Sequence, residues 1–251
     1  MALHAALSFV PFAWPVRDVE RSDLLVLLIA VVHGFGMPLF CLLSGLLPTG
    51  RGRWWLVAAS CVPQLVMGMS MTAGYGPDTS FGILPRPHLL AFYACFFFCG
   101  VATFAAEGLD TRLGRHRKLL LPAAIVLFAL GIAMMNDRLL ASLLQPAFAW
   151  TMALGLIGVF SRFCSRPSPL VSWLADASYW MYLVHVPLVM VVQMVIRSWA
   201  MPADLKLLVV MALVTPVLLV SYRYGVRHTA IGRLLNGPRS ITSTARAASP
   251  S

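Results

Sequence analysis

Seven apolar runs dominate the chain, near residues 24–46, 53–73, 88–107, 118–135, 139–161, 170–199 and 205–223. A helix needs about 20 residues to cross a hydrocarbon core about 30 Å thick, and each run approaches or exceeds that length. In lipid every backbone polar group must be satisfied internally, so the expected fold class is all-α, a polytopic transmembrane helix bundle. The opening stretch, Met1–Val10, is apolar but too short to cross, and it lacks the basic flank and small-residue cleavage site of a secretory signal. It reads as the tail end of a helix, which gives about seven spanning helices plus an N-terminal partial helix. Composition excludes a soluble domain and a disordered chain. Of the 251 residues, 59% are hydrophobic and 11% charged, against about 25% charged in an ordinary globular domain.

The loops between the runs orient the bundle. Residues Asn136-Asp137-Arg138 read as a tight turn at one membrane face. Assigning alternate loops to opposite faces collects Arg51, Arg53, Arg112, Arg115, Arg117, Lys118, Arg162, Arg166, Arg223, Arg227, Arg233, Arg239 and Arg246 on one side. The rest of the 19 basic residues, Arg17, Arg21, Arg86, Arg138, Arg197 and Lys206, fall on the other, together with Asp18, Glu20, Asp23, Asp78, Asp137 and Asp204. Cytoplasmic loops carry the Lys/Arg excess, so the expected location is the cytoplasmic (inner) membrane, multi-pass, with the C-terminus in the cytoplasm and residues 11–23 outside. A net charge of +10 would suggest nucleic acid for a soluble chain. Spread over loop ends it faces the anionic headgroups of the lipid bilayer instead, and no nucleic-acid partner is expected. The chain divides into a transmembrane domain, 1–235, and a Ser/Thr/Ala-rich cytoplasmic tail, 236–251, expected to be disordered.

Polar side chains at bilayer depth carry the functional information, because a charge there costs about 2.5–3.5 kcal/mol or more and persists only with a reason. His33 lies nine residues into its run, about 14 Å at the helical rise, and is followed by Gly34-Phe35-Gly36-Met37-Pro38. Pro38 frees the carbonyl of Gly34. The histidine therefore either belongs to a polar site or donates to that carbonyl to patch the kink. Asp176 has the chemistry of an N-cap, so a spanning helix is expected to start near Ala177, with Leu170–Ala175 as a lead-in. Ser178, Tyr182 and His185 then share one face. That face suits a polar cavity or an inter-helix hydrogen-bond network. His4 sits in the N-terminal stub, and His88, after Pro85-Arg86-Pro87, stands at the outer mouth of the third run. His116 and His228 lie in basic segments and read as solvated. The five cysteines show no metal-ligand spacing, so no metal is expected.

These residues carry a family likeness. His33-Gly34-Phe35-Gly36-Met37-Pro38-Leu39-Phe40 with Leu43-Ser44-Gly45 resembles the "H-x-F-R-M-P-L-F-F-x-x-S-G" segment of the membrane-bound acyltransferase 3 family. Asp176 to Met190, "DASYWMYLVHVPLVM", is similar to that family's "S-Y-x-x-Y-L-x-H-x-P" helix. Leu84 to Phe97, "LPRPHLLAFYACFF", resembles its "H-L-W-F-L" segment, and Leu3 to Val10, "LHAALSFV", the end of its first helix, where the catalytic histidine lies. Within the family the likeness is to the glucan-biosynthesis branch.

The resemblance implies an enzyme, an O-acyltransferase that moves an acyl group from acyl-CoA to a hydroxyl of a carbohydrate acceptor, a glucan or other cell-envelope glycan, at the outer face. No bound cofactor is implied, acyl-CoA being the donor substrate. The catalytic base role falls on His4, with His33 supporting the site and His88, Ser178, Tyr182 and His185 lining it. Three family features differ: the arginine of "F-R-M-P" is Gly36 here, the arginine that precedes the first-helix histidine is missing, since only three residues come before His4, and the stretch after Leu47, often longer and basic in relatives, is short. The expectation is a reading frame that extends upstream of Met1. The alternatives are a catalytically inactive remnant and a polytopic transporter or flippase, which a Pro-kinked helix and a midplane polar face also suit.

Overall fold

The computed structural model describes residues 1–10, 14–44, 55–71, 76–78, 86–103, 116–163 and 168–232. Among them there is no strand. The chain runs α1 (Ala2–Ala6), a 3-10 turn (Leu7–Phe9), α2 (Asp23–Ser44), α3 (Trp55–Met69), α4 (Pro87–Thr103), α5 (Arg117–Ala133), α6 (Arg138–Phe163), α7 (Pro169–Ile196), α8 (Ala203–Ser221) and a π-helical turn (Tyr222–Val226). Each apolar run thus forms a helix, and the stub forms one turn and a half. Asp23–Leu43, Arg138–Phe163, Pro169–Ile196 and Ala203–Val226 are long and apolar enough to cross a membrane, whereas α3, α4 and α5 have 15, 17 and 17 residues. Large apolar side chains face outward, Leu119 at 74% and Val62 at 66% exposure among them. An exposed apolar surface of that kind is stable against lipid and not against water. The predicted tail from 236, and the loop arginines Arg51, Arg53, Arg112, Arg115, Arg166, Arg233, Arg239 and Arg246, lie outside the described residues.

Two boundaries are informative. The expected turn at 136–138 is present, and Asp137 Oδ1 accepts from the backbone N–H groups of Leu139 and Leu140 at 3.0 and 3.1 Å. It caps the first turn of α6 by satisfying donors that have no partner within the helix. At α7 the expectation fails. The helix begins at Pro169 after Ser168, with proline in its first turn, where the missing N–H costs nothing. Leu170–Ala175 are helical and Asp176 lies inside the helix as an ordinary residue, because the apolar sequence before it continues the helix.

The chain folds as two compact units, Met1–Val26 with Pro167–Ser251, and Leu27–Arg166. In the first, α7 and α8 pair, and Ala5 of α1 packs against Val189 and Ile196 of α7 and Val210, Val214 and Leu218 of α8. The segment after the stub is tied at the end of this unit that holds the α7–α8 connection. Lys206 Nζ donates to both oxygens of Asp18, at 2.7 and 2.9 Å, and to the Arg197 carbonyl at 3.2 Å. Both side chains are almost fully buried, at 1% and 2% exposure. Ser22 Oγ donates to Asp204 at 2.8 Å, and Ser8 Oγ to the Val16 carbonyl at 2.7 Å. Asp18, Arg197, Asp204 and Lys206 therefore gather at one end together with Ser22, in keeping with the grouping of those four charged residues on one membrane face.

The second unit has its core among α2, α3, α4 and α6, where Leu42, Phe92, Phe96, Ala149, Trp150 and Ala153 are buried together and Phe96 stacks on Trp150 at 4.6 Å. Gly155 brings α6 against α5: a Cβ there would stand 2.8 Å from Leu121 Cδ2. Gly34 plays the same part for α2, since its Cβ would stand 2.7 Å from Cε1 of the fully buried Phe148.

Two consequences can be measured in detergent. Removing one member of a buried ion pair leaves the other uncompensated, so Lys206→Met is expected to lower the unfolding free energy by about 3–5 kcal/mol. Adding Asp18→Leu should recover most of that loss; thermal unfolding of the single and double variants checks both statements. Gly34→Ala overpacks the Phe148 contact and is expected to cost about 1–3 kcal/mol, read as a lowered unfolding midpoint beside Gly36→Ala, whose Cβ meets nothing closer than 3.7 Å.

Candidate active site

A pair of histidines stands at the centre of the first unit. His4 Nδ1 lies 2.7 Å from His185 Nε2, with ring centroids 4.9 Å apart. His185 is buried, 3% exposed, and its Nδ1 lies 2.9 and 2.8 Å from the carbonyl oxygens of Met181 and Tyr182 on its own helix. His4 is half-buried. Its ring stacks on Trp14, centroids 5.6 Å apart and planes 25° from parallel. No described residue is hydrogen-bonded to His4 Nε2, the ring nitrogen that does not face His185.

Local sequence explains how the pair is held. A five-residue helix has no intrinsic stability, and its last carbonyls lack intrahelical partners. Gln193, 1% exposed on α7, supplies them: its Nε2 donates to the His4 and Ala5 carbonyls at 3.1 and 3.0 Å. Its Oε1 accepts from Trp14 Nε1 at 2.9 Å. One amide thus fixes the backbone that carries His4 and the indole that lies against its ring. Val189 and Gln193 lie four and eight residues beyond His185, close to one stripe of α7. From Gln193 to His185 the site runs inward about 12 Å along that helix.

Other candidate residues stand differently. Ser178 is exposed and donates to the Ala175 carbonyl at 2.6 Å. Tyr182 is 55% exposed, its ring centroid 6.1 Å from that of His185. His33 and His88 belong to the second unit. His33 Nε2 donates to the Pro77 carbonyl at 2.8 Å, beside Gly76, whose φ of +94° favours glycine. The Gly34 carbonyl that Pro38 frees is met not by His33 but by Gln145 Nε2, at 3.5 Å. His88 opens α4 with its Nε2 buried and without a partner among the described residues, while Arg86 pairs with the buried Asp78 at 3.2 Å.

Trp14 and Gln193 were not marked by sequence reasoning. The available signal was rarity. The chain has three glutamines, Gln64, Gln145 and Gln193, each inside an apolar run, and all three are buried. Gln193→Leu leaves the Trp14 N–H and the His4 and Ala5 carbonyls unpaired, each lost partner costing about 1–3 kcal/mol. The variant is expected to unfold at lower temperature and to exchange the Trp14 indole proton faster, which hydrogen exchange followed by NMR reads directly.

Comparison with known proteins gives one positive finding. Residues 47–223 match the family model Acyl_transf_3, described as an acyltransferase domain. No curated protein and no solved structure matches. The matched stretch covers well over half of the chain and includes His88, Ser178, Tyr182, His185 and Gln193, the last two of which hold the N-terminal histidine in place. On this evidence the chain belongs to the acyltransferase 3 family and is a membrane acyltransferase.

Proposed function

We propose that this acyltransferase moves an acyl group from acyl-CoA to a hydroxyl of a carbohydrate, a glucan or another cell-envelope glycan, at the outer face of the cytoplasmic membrane. The observation that carries the reading is the His4–His185 pair, in which His4 Nδ1 is engaged by His185 and His4 Nε2 has no hydrogen-bond partner among the described residues. As the hydroxyl oxygen attacks the thioester carbonyl, His4 Nε2 takes the hydroxyl proton. The new C–O bond forms, the C–S bond breaks, and the same nitrogen returns the proton to the departing sulfur, so donor and acceptor exchange one acyl group for one proton. A neutral imidazole is suited to both directions of that transfer.

The placement of the two substrates rests on charge and depth. Trp14 and Gln193 lie at the end of the first unit that also holds Asp18, Arg197 and Lys206, the end that the Lys/Arg asymmetry assigns to the outside. The acceptor approaches from there. Basic residues such as Arg223 and Arg227 follow the opposite end of α8, where guanidinium groups suit the phosphates of the donor. His33, tied to Pro77, supports its own unit.

The test is transfer of labelled acetyl from acetyl-CoA to an isolated membrane glycan fraction. Loss of a general base costs about 10²–10⁴-fold, so His4→Ala is expected to fall by at least a hundredfold when assayed at a temperature where the variant is still folded, and His33→Ala by less. Equal transfer by wild type and His4→Ala would refute the assignment of the base.

A further inference from the structure

The hydrogen-bond pattern around His185 determines which nitrogen of His4 is basic. Carbonyl oxygens only accept, so His185 Nδ1, within 2.9 Å of two of them, carries a proton. No carboxylate pairs with His185 among the described residues, and an unpaired charge at 3% exposure is costly. The ring is therefore neutral and its Nε2 bears a lone pair. His4 Nδ1, 2.7 Å from that lone pair, must then be the donor, which leaves the lone pair of His4 on Nε2. Free histidine favours the opposite tautomer, with the proton on Nε2, so the pair inverts the intrinsic preference.

We propose that His185 is a positioning residue that fixes His4 as its Nδ1–H tautomer and so leaves the basic nitrogen, Nε2, on the part of the ring that does not face His185. The proposal rests on the reading of His4 as the base. The chain of donors runs from His4 Nδ1 to His185 Nε2 and from His185 Nδ1 to the Met181 and Tyr182 carbonyls, and it stops there, because a backbone carbonyl takes no proton. His185 orients; it does not carry the proton away. Gln193 contributes to the same end by holding the His4 backbone, and Trp14 by lying against the ring.

Two measurements on the full chain decide the matter. In detergent, with ¹⁵N-labelled histidine and His4→Ala to assign the signals, His4 is expected to show a protonated Nδ1 and a bare Nε2; a protonated Nε2 with bare Nδ1 overturns the proposal whatever the activity. In the acetyl-CoA assay, His185→Gln can place an amide oxygen near the position of Nε2 and is expected to keep kcat within about tenfold of wild type. His185→Asn is too short to do so and is expected to lose about a hundredfold or more in kcat with KM unchanged, as a base held in the wrong tautomer does. If His4→Ala is inactive while the Gln and Asn variants fall equally, His4 remains the base and the tautomer role is wrong. If His4→Ala is fully active, the base reading itself fails.

Discussion

The candidate site depends on how five helical residues are kept in place within an apolar bundle. Helix α1 is too short to be stable by propagation, and carbonyls without partners in a low-dielectric interior each cost free energy comparable to a lost hydrogen bond. The Gln193 amide meets both difficulties, since it accepts from the Trp14 indole and donates to the two carbonyls at His4 and Ala5. Apolar contact then adds to it: Ala5 and Ala6 are fully buried, and small side chains let the stub approach α7 and α8 closely. With the backbone fixed at these points, the His4 ring has one neighbour that accepts its proton and one that limits its tilt.

The same problem recurs in the second unit with the same residue type. Pro38 lies inside the continuous helix α2 and deprives the Gly34 carbonyl of its intrahelical donor, and Gln145 approaches that carbonyl. The Trp150 indole donates to Gln64 Oε1 at 3.0 Å within a largely apolar core. Glutamine is suited to this work because it carries a donor and an acceptor on a flexible stem without a charge. The buried ion pair of Lys206 and Asp18 stands apart from that pattern. It lies where a loop meets two helix ends, and the Arg197 carbonyl adds a third hydrogen bond to the ammonium group.

The all-helical architecture was legible because it follows from hydrophobic length alone, and the turn at Asp137 was legible because capping is local. The gathering of Asp18, Asp204 and Lys206 at one end was legible from alternation of the loops, although their pairing was not. What sequence could not show was partnership across long separations. His4 and His185 are 181 positions apart, and Trp14 and Gln193 are 179 apart; no periodicity connects them. The capping reading of Asp176 failed for a related reason. Local chemistry named a plausible helix start, but Pro169 and the apolar residues after it already formed the helix. Ser178 and Tyr182 share a face with His185 in the sequence pattern, yet burial separates them, His185 lying inside and the other two outside. A helical face is broader than the strip that its neighbours cover.

With His4 as the proposed base, a second histidine in place of an orienting carboxylate has a physical rationale in an apolar bundle. A carboxylate beside His4 would stabilise the imidazolium strongly, but a charged acceptor removed from water carries a large desolvation cost when His4 is neutral and only part of it is offset by hydrogen bonds. A neutral imidazole acceptor avoids that cost and still selects the tautomer. Its weakness is that it stabilises the protonated state less, so the proton on His4 is held loosely. For a reaction in which the same nitrogen must take a proton from a hydroxyl and give it up to sulfur within one turnover, loose holding favours return of the proton. On the proposed function, the orienting group therefore matches a direct transfer between donor and acceptor better than a mechanism in which the histidine must remain charged.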